Sequence, residues 1–277
     1  MQNRQGTVQG HRDTQLFWQS WEPDSEPVCI LVLVHGFSEH SSRYQYFAER
    51  LCAAGISVMA FDQRGHGKSP GRRGHIHSMA DYRGDVEAVI KLAESKWPDI
   101  PKFIFGHSMG SLVVLDYVLH HPQGLAGVIT SGAGLEPAGI ATPLTVFAAK
   151  ALSRFWPTFT LPLEVKAKDL TRDQQEIDAY DNDPLVHSNA TARWGSEMLK
   201  VIEQIKQRPG DLQLPILMMH GTSDSINLAS GSQKFIAGVG FPDKCLYLYP
   251  DCLHELHNDL DKEKILTDLG KWLLDHV

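Results

Sequence analysis

Phe103-Ile-Phe-Gly-His-Ser-Met-Gly110, followed at once by the run Ser111–Leu119, decides the fold. Its first residues form a short apolar run of strand type, and the residues after it have a helical pattern. Between them, Gly106-His107-Ser108-Met109-Gly110 turns the chain from strand to helix. That order is the context in which a G-x-S-x-G turn lifts one serine hydroxyl out of a sheet. The glycines have a steric task there. The serine is held in a strained backbone region, and side chains at 106 or 110 would collide with neighbouring backbone. A helix opening at Ser108 also points backbone N–H groups toward a developing oxyanion. The pentapeptide alone is common; the strand before it and the helix after it make it specific.

Outward from this turn, short apolar runs alternate with longer helical patterns. Cys29–Val34 is continuous and rich in β-branched residues, as a strand buried on both faces should be. Similar runs occur at Ile56–Phe61, Lys102–Phe105, Gly127–Thr130, Ile216–His220 and Cys245–Tyr249. Helical patterns occupy Tyr44–Ala54, Asp81–Trp97, Ser108–His121 and Lys262–His276. This alternation predicts an α/β fold, a mostly parallel sheet covered by helices. Thr14–Trp21 reads as an exposed strand of an opening hairpin.

A serine hydroxyl is a weak nucleophile until a histidine accepts its proton and a carboxylate fixes that histidine's tautomer. In this architecture the partners follow the serine in the order Asp, His, on loops after later strands. Ile216–His220 leads into Gly221-Thr-Ser-Asp224, and the last strand leads into Pro250-Asp-Cys-Leu-His254-Glu-Leu-His257. Asp224 is therefore the expected orienter and His254 the expected base, with Asp251 and His257 as rivals. His220 is read as a strand cap. The second oxyanion donor should come from the loop after the first long strand, which opens His35-Gly36-Phe37-Ser38-Glu39-His40. Backbone N–H groups of Phe37 and Met109 are the expected pair, with His35 propping the loop.

Several chemistries are disfavoured. Asp62-Gln-Arg-Gly65-His-Gly67-Lys-Ser69 lacks the third glycine of a dinucleotide fingerprint and is not a phosphate loop, so it reads as a turn buttressing the rim. No metal is implied, because the histidines have no HExxH spacing. A net charge of −7 argues against a nucleic-acid partner, which needs a clustered basic face. The four cysteines form no CxxC pair and read as packed thiols. With a polar N-terminus, they suggest a cytoplasmic protein. No run of about 20 apolar residues spans a membrane.

At 277 residues there is room for one large domain with an insertion. The strand–helix rhythm breaks near Leu135 and resumes near Pro215. The expected organisation is a core of residues 1–134 and 209–277 interrupted by a cap over 135–208. Within the cap, Thr142–Leu163 is apolar apart from Lys150 and Arg154, and carries Phe147, Phe155, Trp156 and Phe159. It reads either as a helix packed on the core or as a lid that grips acyl chains and makes peripheral contact with membranes.

Taken together, HGFSEHSSRY (35–44), FDQRGHGKSPG (61–71), GHSMG (106–110) and YDNDPL (180–185) resemble the monoacylglycerol lipase and lysophospholipase family of α/β-hydrolases. The resemblance runs over nearly the whole chain. It implies hydrolysis of monoacylglycerols to glycerol and fatty acid by an acyl-enzyme on Ser108, without a cofactor or an obligate protein partner. It places the triad on Ser108, Asp224 and His254. It places glycerol recognition on Glu39, Arg43 and His257, with His107 lining the pocket and Tyr180 near the alcohol exit. Phe37 stands where the family often has a small residue, which suggests a narrowed acyl entrance; Ser111 replaces a glycine.

The competing expectations are a lysophospholipase or general carboxylesterase, a proline-releasing aminopeptidase using Asp178, Asp181 and Asp183 to hold an amine, and a binding protein that has kept the fold but not the reaction. Haloalkane dehalogenation would require a carboxylate in place of Ser108.

Overall fold

In a computed structural model, which describes residues 1–121, 123–139 and 151–277, the apolar runs become strands of one sheet. They are β3 (Cys29–Val34), β4 (Ile56–Phe61), β5 (Lys102–His107), β6 (Gly127–Ser131), β9 (Ile216–Gly221) and β10 (Lys244–Tyr249). These six pair in parallel, in the order β4-β3-β5-β6-β9-β10. An antiparallel hairpin, β1 (Gln2–Gln9) and β2 (Gln15–Glu22), extends the sheet on the β4 side. The strand expected to be exposed is β2. It lies between β1 and β4, and Leu16 and Trp21 are buried. The exposed edge is the polar β1, whose sequence QNRQGTVQ has no apolar alternation to announce a strand.

Successive side chains point to opposite faces of a strand, so each run feeds two cores. Ile30, Val32, Val34, Ile104, Val128, Ile216 and Met218 face α2 (Met79–Lys96) and α3 (Met109–His120). Leu31, Leu33, Phe103, Phe105, Ile129, Leu217 and Met219 face α1 (Gln45–Ala53) and the terminal helix Lys262–Asp275. Each fully buried Leu, Ile or Phe contributes about 1.5–3 kcal/mol. Because both faces are filled, the apolar pattern of β3 alone does not distinguish one face from the other.

The sheet leaves off at Ser131 and resumes at Ile216. Between them lie a small antiparallel pair, β7 (Thr160–Pro162) and β8 (Asn189–Thr191), and the helices α4 (Ala167–Leu170), α5 (Gln174–Asp181) and α6 (Ala192–Lys206). Trp194, Val201, Ile202 and Ile205 of α6 enter the main core, so this end of the interval is anchored. Of the apolar run 142–163, residues 142–150, Phe147 among them, lie outside the described residues. Phe155 and Trp156 are 82% and 58% exposed. After β9 comes α7 (Ala229–Gly238), and after β10 comes α8, the terminal helix. Among the described residues, no helix is long and apolar enough to cross a membrane.

Candidate active site

β5 delivers the chain to Ser108, which adopts φ 53° and ψ −117°. A non-glycine residue held there needs surrounding structure that leaves it no alternative. The surroundings do this closely. A Cβ on Gly106 would strike the carbonyl of Gly110, and one on Gly110 would strike the carbonyls of Val34 and His35. Ser108 N–H donates to Ser131 O at 2.9 Å. Ser111 does more than stand in for a glycine. Its hydroxyl donates to Gly106 O at 2.7 Å and lies 3.2 Å from Ser131 O, pinning the turn from beneath. Ser108 itself is partly exposed between buried neighbours.

Asp224 and His254 come from the loops after β9 and β10 and meet directly. His254 Nδ1 lies 2.7 Å from Asp224 Oδ2, and both side chains are buried. The same carboxylate oxygen is 3.1 Å from His220 Nε2, while Oδ1 accepts the backbone N–H groups of Ile226 and Asn227 at 2.9 Å each. His220 is thus not merely a strand cap. It is wedged between Asp224, Asn227 O and the Ser232 hydroxyl. On the other side, a Cβ on Gly132 (φ +56°) would sit 3.1 Å from the His254 ring, so only glycine lets the turn after β6 pass. The ring of His107, next to Ser108 in the chain, lies 4.8 Å from that of His254. The rivals are differently placed. Asp251 is exposed, whereas His257 stacks on Tyr44 at 4.5 Å, buried behind His107.

The charges are consistent with a base held by a carboxylate. Burial pushes Asp224 up, but His254 and the hydrogen bonds it receives bring it well below the usual carboxylate range. Burial pushes His254 down, but the charge and hydrogen bond of Asp224, with Glu255 and Glu39 behind, raise it above the ordinary imidazole value. His107 and His257 lack such a partner. Burial drives His107 well below its ordinary value and His257 down to about 3, so both are neutral.

The residues expected to recognise glycerol surround this pair, but most are already occupied. Arg43 reaches both oxygens of Glu255, at 2.5 and 2.8 Å, and Glu39 Oε2 at 3.1 Å. It also lies over the Tyr180 ring at 4.8 Å. Glu255, absent from the sequence expectations, is held well below its usual range. Burial opposes that shift, and Arg43 outweighs it. Burial, with the charge of Glu255, raises Glu39 to about 7, against the pull of Arg43. Tyr180 donates its hydroxyl to Ser38 Oγ at 3.3 Å. On the outer side, Arg43 lines a cleft of about 420 Å³ with His40, Tyr46, Glu49, Glu176 and Asp183.

The loop 35–40 lies against the turn: a Cβ on Gly36 would be 3.2 Å from Ser108 Cβ. His35 Nε2 accepts Gln63 N–H at 2.9 Å, so Nδ1 carries the proton and donates to Gly36 O at 2.7 Å. Burial drives this imidazole down to about 4, in keeping with a neutral prop. Asp62 in turn accepts from Ser41 N, Ser41 Oγ and Lys68 N at 2.6–2.8 Å, so the Gly-x-Gly segment buttresses the loop. The Phe37 ring packs against Trp194 at 4.4 Å and against His187 at 5.6 Å, so the bulk expected to narrow an acyl entrance fills a contact with α6 and the segment before it. The amides of Phe37 and Met109 donate to no backbone acceptor among the described residues.

Among the described residues, the acidic and thiol side chains of Cys252, Asp259 and Asp261 lie close enough together to suggest a cation. The cation is Arg172, which donates to Asp259 and Asp261 at 2.7 Å each and to Cys252 Sγ at 3.3 Å. This ion pair fastens the segment after α4 to the loop that carries His254.

The parallel sheet, the serine turn and the Asp–His pair on later loops define an α/β-hydrolase of the serine ester hydrolase class. The chain belongs to the Hydrolase_4 family, described as serine aminopeptidase, S33, which matches residues 25–261. It is 31% identical to a monoacylglycerol lipase of Mycolicibacterium smegmatis over 265 residues, covering 95% of this chain and 94% of that one. A monoacylglycerol lipase structure from Paleococcus ferrophilus superposes with a TM-score of 0.87 at 31% identity, over 95% of this chain and 99% of the other. A soluble variant of the Saccharomyces cerevisiae monoglyceride lipase, in complex with a substrate analog, also gives 0.87, at 26% identity over 98% and 94%.

Proposed function

We propose that the chain hydrolyses monoacylglycerols to fatty acid and glycerol through an acyl-enzyme on Ser108. The observation that carries this reading is the 2.7 Å contact between His254 and Asp224, with the His254 ring 4.8 Å from that of His107, the residue before a serine held in a strained, glycine-enforced turn. Ser108 Oγ attacks the ester carbonyl while His254 Nε2 takes its proton. The imidazolium is stabilised by Asp224, and the oxyanion by the N–H groups of Phe37 and Met109. Collapse of the intermediate breaks the carbonyl–alkoxy bond, and His254 returns the proton to the departing glycerol oxygen. Water, deprotonated by the same imidazole, then attacks the acyl-enzyme, and fatty acid leaves with Ser108 restored.

Three named relatives act on monoacylglycerols or bind a substrate analog, which supports the substrate class. Residues 135–208 form the cap in this reading. Its exposed Phe155, Trp156 and Leu161 offer an apolar face for a peripheral membrane contact where such substrates reside. The test is a series of esters with one acyl chain: a monoacylglycerol, a lysophospholipid and a short water-soluble ester. Highest kcat/KM on the glyceride supports the proposal; preference for the short ester refutes it, and preference for the lysophospholipid moves the substrate to that class.

The family description favours weighing one alternative, an aminopeptidase whose acidic residues hold a free amine. Two of the three acids named for that role are already engaged. Asp183 is paired with His40 at 2.8 Å and Asp178 accepts from Gln174 at 2.7 Å, as Glu176 does from Lys262 at 3.4 Å, while Asp181 faces solvent. Release from aminoacyl-naphthylamides at rates rivalling ester hydrolysis would establish that alternative.

A further inference from the structure

We propose that Glu39 is a positioning residue: its carboxylate fixes the Gly36–Phe37 backbone so that the Phe37 N–H aims at the developing oxyanion. This rests on reading Phe37 and Met109 as the oxyanion donors. Glu39 is 2% exposed, and its Oε1 accepts Gly36 N–H at 2.5 Å and the Tyr44 hydroxyl at 2.9 Å. Arg43 holds Oε2 at 3.1 Å. The carboxylate therefore grips the amide one residue before the proposed donor, through an oxygen whose place is set by a tyrosine and a guanidinium.

The following residue is gripped from the opposite side. Ser38 has φ +76°, a conformation a serine does not keep without outside help. His187 N–H donates to Ser38 O at 3.2 Å, the Ser38 hydroxyl donates to His187 O, and Tyr180 donates to Ser38 Oγ. With Gly36 held by Glu39 and Ser38 held by the 180–187 segment, the Phe37 peptide between them has little freedom. Packing alone would not call for a charge here, since burying a carboxylate and a guanidinium is costly and an apolar side chain would fill the space. The Gly36 amide, which has no backbone acceptor, does call for a side-chain one. Oε1 is filled by its two protein donors, so the grip on Gly36 does not compete with a glycerol hydroxyl, for which only Oε2, beside Arg43, has acceptor capacity left.

The test uses Glu39→Asp, Glu39→Gln and Glu39→Ala in the full chain. The readouts are kcat and KM on a monoacylglycerol and a p-nitrophenyl ester of the same acid, inhibition by a boronic acid and by the product fatty acid, and melting temperature. Glu39→Asp keeps the charge for Arg43 but withdraws the acceptor from Gly36; Glu39→Gln keeps the acceptor and loses the charge. Loss of one oxyanion donor costs about 10²–10³ in kcat, so a misaimed one should cost about 10–100-fold. We expect that loss from Asp and Ala on both esters, in kcat rather than KM. Boronate affinity should fall in parallel, fatty-acid inhibition should stay within about twofold, and Gln should recover most of the rate. Should Ala fail to fold, the Asp and Gln comparison still decides. A loss confined to KM on the glycerol ester, a lowered melting point with unchanged kcat, or Gln worse than Asp would overturn the inference. Failure of the serine reading is separate: it would appear as undiminished turnover by Ser108→Ala.

Discussion

Asp224→Asn converts the geometry of one side chain into a rate. The two oxygens of Asp224 have different partners: Oδ1 accepts two backbone N–H groups, and Oδ2 faces His254 and His220. An asparagine must give its carbonyl to the two backbone donors, which cannot move. Its NH₂ then faces His254 Nδ1 and donates to it, forcing the ring proton onto Nε2, the nitrogen that should accept from Ser108. In serine enzymes generally, that wrong tautomer costs about 10⁴ in kcat. The imidazolium also loses a hydrogen bond to a charged partner, worth about 1.5–3 kcal/mol, or about one to two pKa units. Both groups are buried, so solvent screening does not reduce this contribution. The assay is kcat/KM against pH from about 5 to 9 on a soluble chromogenic ester. In the wild type, activity should rise as His254 deprotonates, at a pH above the ordinary imidazole value of 6.5. In the variant the plateau should fall by about three to four orders of magnitude, and the acid limb should move to lower pH. Activity within tenfold of wild type, with an unmoved limb, would mean that Asp224 does not set the tautomer of His254. Stability gives a control with a definite sign. Asp224 is depressed below 3.8 in the folded state, so its stabilising contribution is present above that value and lost as pH falls. The melting difference between variant and wild type should therefore shrink in acid.

Two further outcomes follow from other parts of the molecule. Arg43→Ala strands the carboxylates of Glu39 and Glu255 in the interior and should cost about 3–5 kcal/mol, read as a melting point lower by about 10 °C. Since Glu255 is depressed by Arg43, that deficit should be full at neutral pH and narrow as pH falls through the ordinary glutamate range. Phe155→Ser combined with Trp156→Ser should leave stability within about 0.5 kcal/mol, because both side chains face solvent. The pair should weaken sedimentation with anionic phospholipid vesicles; unchanged vesicle binding would remove these residues from the membrane contact.

Legibility in the sequence followed the range over which each feature is encoded. The serine turn was legible because strand, glycines and helix are contiguous, and Cys29–Val34 and Ile56–Phe61 matched their strands end to end because burial on both faces leaves unbroken apolar runs. β1 was hidden by its polar edge composition. α7, reading ASGSQKFIAG, was hidden by small and polar residues with weak helical preference. Within the site, Asp224 and His254 could be placed because each follows a recognisable strand. Glu255 could not, since its meaning depends on Arg43, 212 residues away. His220 was misjudged for the same reason: its partners Asn227 and Ser232 come near only when the chain folds back after β9. Phe37 was read as an obstruction because its neighbours, Trp194 and His187, lie on the far side of the inserted segment.

Nucleophilicity at the Ser108 hydroxyl can be read by covalent trapping, without any substrate. The protein is treated with an alkyl fluorophosphonate and analysed by intact mass and peptide mapping. One adduct per chain, on the peptide containing Ser108 and absent from Ser108→Ala, is the predicted result. Folded protein that takes up no label, or carries it on another residue while Ser108→Ala still hydrolyses ester, would show that Ser108 is not the nucleophile.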